Sequence, residues 1–506
     1  MTANLFSRLF DDVKDLDRLA IETPDGGRIS YGDLIERSGR TANHLVARGV
    51  KVGDRVAVQV EKSVEALVLY LATVRAGAVF LPLNTAYTLN EIDYFIGDAE
   101  PSLVVCDPAK VEGVTTLARR VGAEVETLDA AGRGSLSDGA AQQDAAFVTV
   151  ARNGDDLAAI LYTSGTTGRS KGAMLSHDNL VSNSRTLVDF WRFTDRDVLI
   201  HALPIYHTHG LFVASNVTLF ARASMIFLSK FDPNQVIDLM ARATVLMGVP
   251  TFYTRLLQNQ RLSRDTTSHM RLFISGSAPL LADTHREWSA RTGHAVLERY
   301  GMTETNMNTS NPYDGDRVPG AVGLPLPGVS VRVTDPESGT ELARDAIGMI
   351  EVKGPNVFRG YWRMPEKTKS EFRGDGFFIT GDLGKIDGKG YVHILGRGKD
   401  LVISGGFNVY PKEVESEIDA IAGVVESAVI GVPHADFGEG VTAVVVADKT
   451  KALSEDAVLQ ALDGRLAKFK MPKRVIFVDD LPRNTMGKVQ KNVLRDTYAT
   501  LYTKAT

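Results

Sequence analysis

A single cysteine in 506 residues, Cys106, excludes any intramolecular disulfide. It lies in the apolar run Ser102-Leu-Val-Val-Cys-Asp107, so a buried small side chain on a strand is expected there rather than a nucleophile. No stretch approaches the roughly 18 uninterrupted apolar residues that a membrane span needs. The first twenty residues carry acidic side chains and have no apolar core, unlike a signal or transit peptide. There is no excess of positive charge: the formal net charge is −5, which gives no reason to expect nucleic acid as a partner. Internal repeats and low-complexity segments are also missing. A soluble, cytoplasmic enzyme is the expected class, and the length calls for more than one domain.

What the chain does have is a loop suited to phosphates. An apolar run, Leu157 to Leu161, reads as a buried strand and leads into Tyr162-Thr-Ser-Gly-Thr-Thr-Gly-Arg-Ser-Lys171-Gly172. Glycines let backbone N–H groups approach an anion closely, the hydroxyls of Thr163, Ser164, Thr166 and Thr167 add donors, and Lys171 adds charge. A Walker loop is excluded: counting from Gly165, Ser170 stands at the second glycine position and Gly172 follows the lysine.

From Arg55 to about Pro250 short β-rich runs alternate with helical ones, the pattern of a sheet covered by helices. Strands are expected at Arg55–Val60, Ala78–Leu83, Val198–Leu203, Thr244–Val249 and Arg271–Ser275. Helices are expected at Ser63–Arg75, from Thr88, where Glu91 completes a capping box, and from Asp178 to Trp191. The Ala/Gly-rich patch Gly132 to Asp144 reads as a surface loop. Beyond Asp335 short strands and Gly-rich turns take over. After Gly398-Lys399-Asp400 comes a smaller α+β unit: a hairpin Leu401–Tyr410, a helix from Pro411, strands Val425–Val432 and Val441–Ala447, a helix Ser454–Ala467 and a strand Arg474–Val478. The expected architecture is therefore α/β, with a large N-terminal domain at 1–398 and a small α+β domain at 399–506.

The phosphate loop resembles that of the acyl-adenylate-forming superfamily, and five further segments match this family in order. They are Ser275-Gly-Ser-Ala-Pro279, Arg299-Tyr-Gly-Met-Thr-Glu304-Thr305, Thr380-Gly-Asp382, Gly396-Arg397 and Pro482-Arg-Asn-Thr-Met-Gly-Lys488. The resemblance implies a fold of mixed sheets sandwiched by helices plus a mobile C-terminal domain. It implies ATP and Mg²⁺ as cofactors and CoA as co-substrate. In the nucleotide site it implies Thr163, Ser164, Gly165, Thr166, Thr167, Gly168 and Lys171; Gly276, Ser277 and Ala278; and Glu298, Arg299, Tyr300, Gly301, Met302 and Thr303, with Tyr300 stacked on adenine. Asp382 would hold the ribose, Arg397 would lie near it, and Glu304 would bind the metal. One carboxylate suffices for a hard cation that keeps its waters and phosphate oxygens.

In such enzymes a carboxylate attacks the α-phosphorus of ATP, pyrophosphate leaves, and a thiol then displaces AMP. Lys488 matches the lysine of the first step. Lys399 matches the hinge, and Gly405-Gly406-Phe407 the turn that lines the pantetheine tunnel in the second. Lys488 would also be the target of a protein acetyltransferase and deacetylase. The basic run Lys468, Lys470, Lys473 and Arg474 reads as a solvated face.

For the acid, Ala202-Leu-Pro-Ile-Tyr-His207-Thr-His209-Gly210 places a second imidazole beside the family histidine His207, a catalytic candidate. With the Asn306-Met307-Asn308-Thr309 run, this resembles malonyl-CoA synthetases. A second carboxylate needs a cation and donors at its far end, because burying it unpaired costs several kcal/mol. The expected set is His207, Thr208, His209, Ser277, Arg286 and Met307, with Arg286 supplying the bidentate fork. Thr208 and Met307 would limit space at the α-carbon and decide whether methylmalonate is accepted. Three alternatives stay open: a ligase for another short or aryl acid, a stand-alone enzyme that loads a carrier protein, and a non-catalytic nucleotide sensor.

Overall fold

The computed structural model describes residues 2–163, 170–405, 407–484 and 487–502. Four sheets organise them. A six-stranded sheet runs in the order Glu124–Thr127, Leu103–Cys106, Arg55–Gln59, Val79–Pro82, Leu157–Thr163 and Lys171–Ser176. Its last two strands form an antiparallel hairpin in which Thr163 faces Lys171. Of the loop residues named above, Ser164, Gly165, Thr166, Thr167 and Gly168 lie outside the described residues, as does Gly406.

A nine-stranded sheet carries at its centre the parallel strands Val198–His201, Val245–Gly248, Leu272–Ser275 and Leu297–Met302. All four end at the same edge, the usual place for a ligand in an open α/β sheet. A four-stranded antiparallel sheet follows, Ser330–Thr334, Gly348–Lys353, Phe378–Ile386 and Val392–Arg397. A single turn at Gly398–Asp400 then leads to the small C-terminal sheet, where the long strands Val424–His434 and Gly438–Ala447 pair and Arg474–Val478 joins parallel.

Local chemistry explains most boundaries. Ser63 caps the helix Val64–Arg75, and Thr88 with Glu91 forms the expected capping box at Leu89–Ala99. Such a cap contributes about 1 kcal/mol. Cys106 is fully buried on its strand. Two expectations fail. Within Gly132–Asp144 the structure has a helix, Ser135–Ala141, which buries only Leu136 and Ala140 and packs on the helix Tyr31–Ala47. Two apolar positions among small polar residues give no visible periodicity. The helix capped by Ser454 stops at Leu462 rather than Ala467, because Asp463 is extended and Gly464 takes φ +76°. The helices Leu5–Phe10 and Tyr31–Ala47 were not expected either. Among the described residues no helix is long and apolar enough to cross a membrane.

Candidate active site

At the shared strand edge, the turn after Leu272–Ser275 brings Ser277 into the left-handed region at φ +73°, uncommon for a residue with a side chain. Ser277 Oγ lies 3.1 Å from His209 Nδ1. The backbone N–H of His209 in turn donates to His207 Nδ1 at 3.3 Å, leaving His207 with its proton on Nε2. Thr208 and His209 are buried, and among the described residues Thr208 Oγ1 and His209 Nε2 have no hydrogen-bond partner. Met307 is buried on the neighbouring strand Asn306–Ser310.

Arg299 changes the picture drawn from sequence. Its side chain is buried, and its Nε and Nη2 have no partner among the described residues. Among the described residues no carboxylate forms an ion pair with it. Burial alone pulls its pKa down to about 9. It acts in turn on the histidines. His207 is lowered to about 4 and His209 falls well below its ordinary value, in both cases first by burial and then by the Arg299 charge. A lone buried cation with free donors costs several kcal/mol unless an anion joins it. Arg299 stands within electrostatic reach of the two histidines.

Arg286 is the opposite case and a correction to the expected pocket. It sits on the exposed face of the helix Ala282–Thr292, its side chain 63% exposed, and pairs with Asp283 one turn back. Helical spacing put it near the Ser275 turn but could not say which way the helix faces. Glu298, by contrast, is turned inward: its carboxyl accepts from the Gly320 N–H at 3.2 Å, and burial pushes its pKa up to about 8.

The nucleotide elements converge from three sheets. Tyr300 donates to Asp382 Oδ2 at 2.5 Å, and Arg397 Nε meets Asp382 Oδ1 at 3.0 Å. Asp382 and Arg397 face each other as Cα partners on adjacent strands, so the sheet register sets this pair. Gly301, Met302 and Thr303 line the half-buried stretch before Glu304, and Ala278 follows Ser277 at the same rim. Glu304 is buried, and its Oε1 accepts from Tyr361 at 3.0 Å. Its desolvation raises its pKa. Lys171 lies 4.3 Å over the Tyr361 ring and 3.9 Å from Glu371. Tyr361 thus links Lys171 and Glu304, a position that nothing in Arg359-Gly-Tyr-Trp362 announces. Among the described residues there is no cluster of three metal-ligating acids, histidines or cysteines.

From the C-terminal domain, a Cβ on Gly487 would lie 3.3 Å from Thr251, at the start of the helix Pro250–Leu257. Lys488 as a residue is exposed, while its amine is desolvated by its surroundings. Desolvation and then Arg397 lower its pKa, while Asp382 and Asp400 oppose them. Lys399 is exposed, in the turn between the domains. Gly405 (φ +58°) and Phe407, stacked on Phe469 at 4.8 Å, are on the outer side of the small sheet and exposed.

Parallel strands ending at a common edge, a hairpin joined by a segment glycine-rich in sequence and a small C-terminal domain fit an adenylate-forming enzyme, and the chain belongs to the AMP-binding enzyme family. The model of the AMP-binding enzyme matches residues 12–362 and that of the AMP-binding enzyme C-terminal domain residues 413–488. The chain is similar to the crystal structure of ATP-bound MatB from Rhodopseudomonas palustris, at 79% identity over 99% of this chain and 100% of that one, with a TM-score of 0.98. Against apo MatB from the same organism the TM-score is 0.87. It is also 34% identical to the malonate–CoA ligase of Arabidopsis thaliana, over 97% of this chain and 88% of that protein.

Proposed function

We propose that this enzyme ligates malonate to CoA at the expense of ATP, through malonyl-AMP, releasing malonyl-CoA, AMP and pyrophosphate. The observation that carries the reading is Arg299: a buried guanidinium with two donors unpartnered among the described residues, within electrostatic reach of His209, whose Nε2, like Oγ1 of the adjoining Thr208, also lacks a partner there. A monocarboxylate would leave all three buried without partners. Malonate-ligase activity in the similar plant protein supports the same assignment.

In this reading Arg299, His207, His209 and Ser277 receive the distal carboxylate, and the proximal one attacks the α-phosphorus as the bond to pyrophosphate breaks. Repulsion between the two anions is the main barrier to be offset. Lys488 bridges them, Lys171 and the phosphate loop hold the leaving pyrophosphate, and Thr303 bonds the α-phosphate. Glu304 would hold Mg²⁺, which supplies further neutralisation of the phosphates. Tyr300 carries the adenine, and Asp382 and Arg397 the ribose. The contact of Gly487 with Thr251 and the better match to an ATP-bound relative support an adenylate-forming arrangement.

For the second half-reaction the small domain, 399–506, turns about Lys399. Lys488 leaves, Gly405, Gly406 and Phe407 enter, and the CoA thiolate attacks the acyl carbon so that AMP departs. Thr208 and Met307 bound the α-carbon, with methylmalonate as a slower substrate. The exposed position of Lys488 in the chain suits an acetyltransferase and a deacetylase as regulators.

The test is ATP- and CoA-dependent AMP release with malonate, methylmalonate, succinate, acetate and benzoate, on wild type, Arg299→Met and Arg286→Ala. Selective use of malonate, lost with Arg299→Met and kept with Arg286→Ala, is the expected result. Equal use of acetate or benzoate would overturn the dicarboxylate reading while leaving the family intact.

A further inference from the structure

Behind His209 the structure holds a second buried polar chain that the adenylation chemistry does not use. Lys62, just past the strand Arg55–Gln59, is buried. Its Nζ donates to the carbonyl oxygen of His201 at 2.7 Å and meets His201 Nδ1 at 2.8 Å. The amine also stands 4.1 Å from the centre of the Phe227 ring. His201 closes the strand Val198–His201, and its Nε2 is 2.9 Å from the carbonyl oxygen of Gly210 and 3.1 Å from Ser215 Oγ.

The tautomer of His201 can be read from both ends. A carbonyl oxygen only accepts, so Nε2 facing Gly210 carries the proton. Burial and the nearby Lys62 keep the ring neutral, and Nδ1 is then a bare lone pair that needs a donor. Lys62 supplies one whether its amine is charged or, as burial favours, neutral.

Gly210 and Ser215 both belong to His209–Ser215, a π-helical turn. Such turns are rare, occur mostly at functional sites, and leave the backbone less tightly bonded than an α-helix. Here Gly210 O is held by His201 Nε2 and by Ser215 Oγ, the latter at 3.0 Å. On its other side Gly210 has no room to move: a Cβ there would fall 1.9 Å from Pro204 O. The residue clamped in this way directly follows His209 and stands two after Thr208, whose unpartnered atoms form the acyl pocket.

We propose that Lys62 is a positioning residue for the distal carboxylate site. It fixes His201 as the Nε2–H tautomer, whose proton pins Gly210 and so sets where His209 Nε2 and Thr208 Oγ1 stand. The inference rests on the dicarboxylate reading above. Its effect is confined to the acid, because the chain Lys62–His201–Gly210 ends at the acyl pocket and makes no bond to Glu304, Asp382 or Arg397.

Kinetics of Lys62→Met, His201→Gln and the double variant, with malonate, ATP and CoA varied in turn, test this. The expected result is a rise of tenfold or more in KM for malonate, with KM for ATP within twofold of wild type. The double variant should be no worse than the poorer single one. An unchanged KM for malonate, or a parallel rise for ATP, overturns it. Should the variants fail to fold, the imidazole ¹⁵N spectrum of the wild-type enzyme decides: His201 protonated on Nε2 supports the proposal, and protonation on Nδ1 overturns it. Wild-type turnover of acetate as fast as malonate would instead refute the dicarboxylate reading, whatever Lys62 does.

Discussion

The guanidinium of Arg299 occupies the space that a side chain at position 276 would need: a Cβ on Gly276 would lie 2.4 Å from Arg299 Cζ and 2.5 Å from Nε. Gly276 is thus required less for turn geometry than for close approach of a cation. Gly276→Ala should displace Arg299 and raise KM for malonate at least tenfold, with adenylate formation from ATP otherwise supported. Steady-state kinetics check this, and an unchanged KM would show that the guanidinium can move without consequence.

Removing the Arg299 charge should also be visible at a distance. Arg299 is the second cause, after burial, that holds His207 near pKa 4. In Arg299→Met the His207 pKa should move upward toward 6.5, since a repelling positive charge has gone. Titration of the imidazole by NMR reads the shift. An unchanged pKa would mean that the two groups are not within electrostatic reach.

Acid stability follows from the same burial. His177 and His207 are lowered to about 4, and His201 and His209 lie well below their ordinary value. In the unfolded chain all four titrate near 6.5. Between those values the unfolded state binds more protons, so stability is fully present above about pH 6.5 and falls as pH drops toward 4. Unfolding at about pH 5 should take up protons at these four sites. Replacing His177 by Gln should reduce the uptake by about one proton, measured from the pH dependence of the unfolding midpoint. An unaltered slope would place His177 in a wetter setting than its burial indicates.

Lys488→Ala should separate the half-reactions. Malonyl-AMP formation should fall by roughly 10²-fold or more, the scale of losing one stabilising donor of the transition state. Thioester formation from presynthesised malonyl-AMP and CoA should persist. Pyrophosphate release and malonyl-CoA formation, measured separately, distinguish the two, and loss of both would argue against domain alternation.

Thr208→Ala should raise the ratio of kcat/KM for methylmalonate over malonate, because it removes a buried hydroxyl at the position proposed to bound the α-carbon while leaving the Arg299 side chain in place. Competition between the two acids measures the ratio directly. A fall in the ratio would put the methyl branch elsewhere.

Much of this molecule was legible in its sequence because the signals are local. Strands such as Leu157–Thr163 declare themselves by apolar runs, Thr88 and Glu91 by their spacing, and the six ordered motifs by adjacency along the chain. The family, the nucleotide side of the site and the second domain all follow from such neighbours. The acyl pocket does not, because it is assembled by sheet register and helix rotation. Which of Arg286 and Arg299 faces the histidines depends on whether a helix turns outward and whether Gly276 leaves room above the next strand. The bond of Lys62 to His201 joins residues 139 apart, and only the packed sheets bring them together.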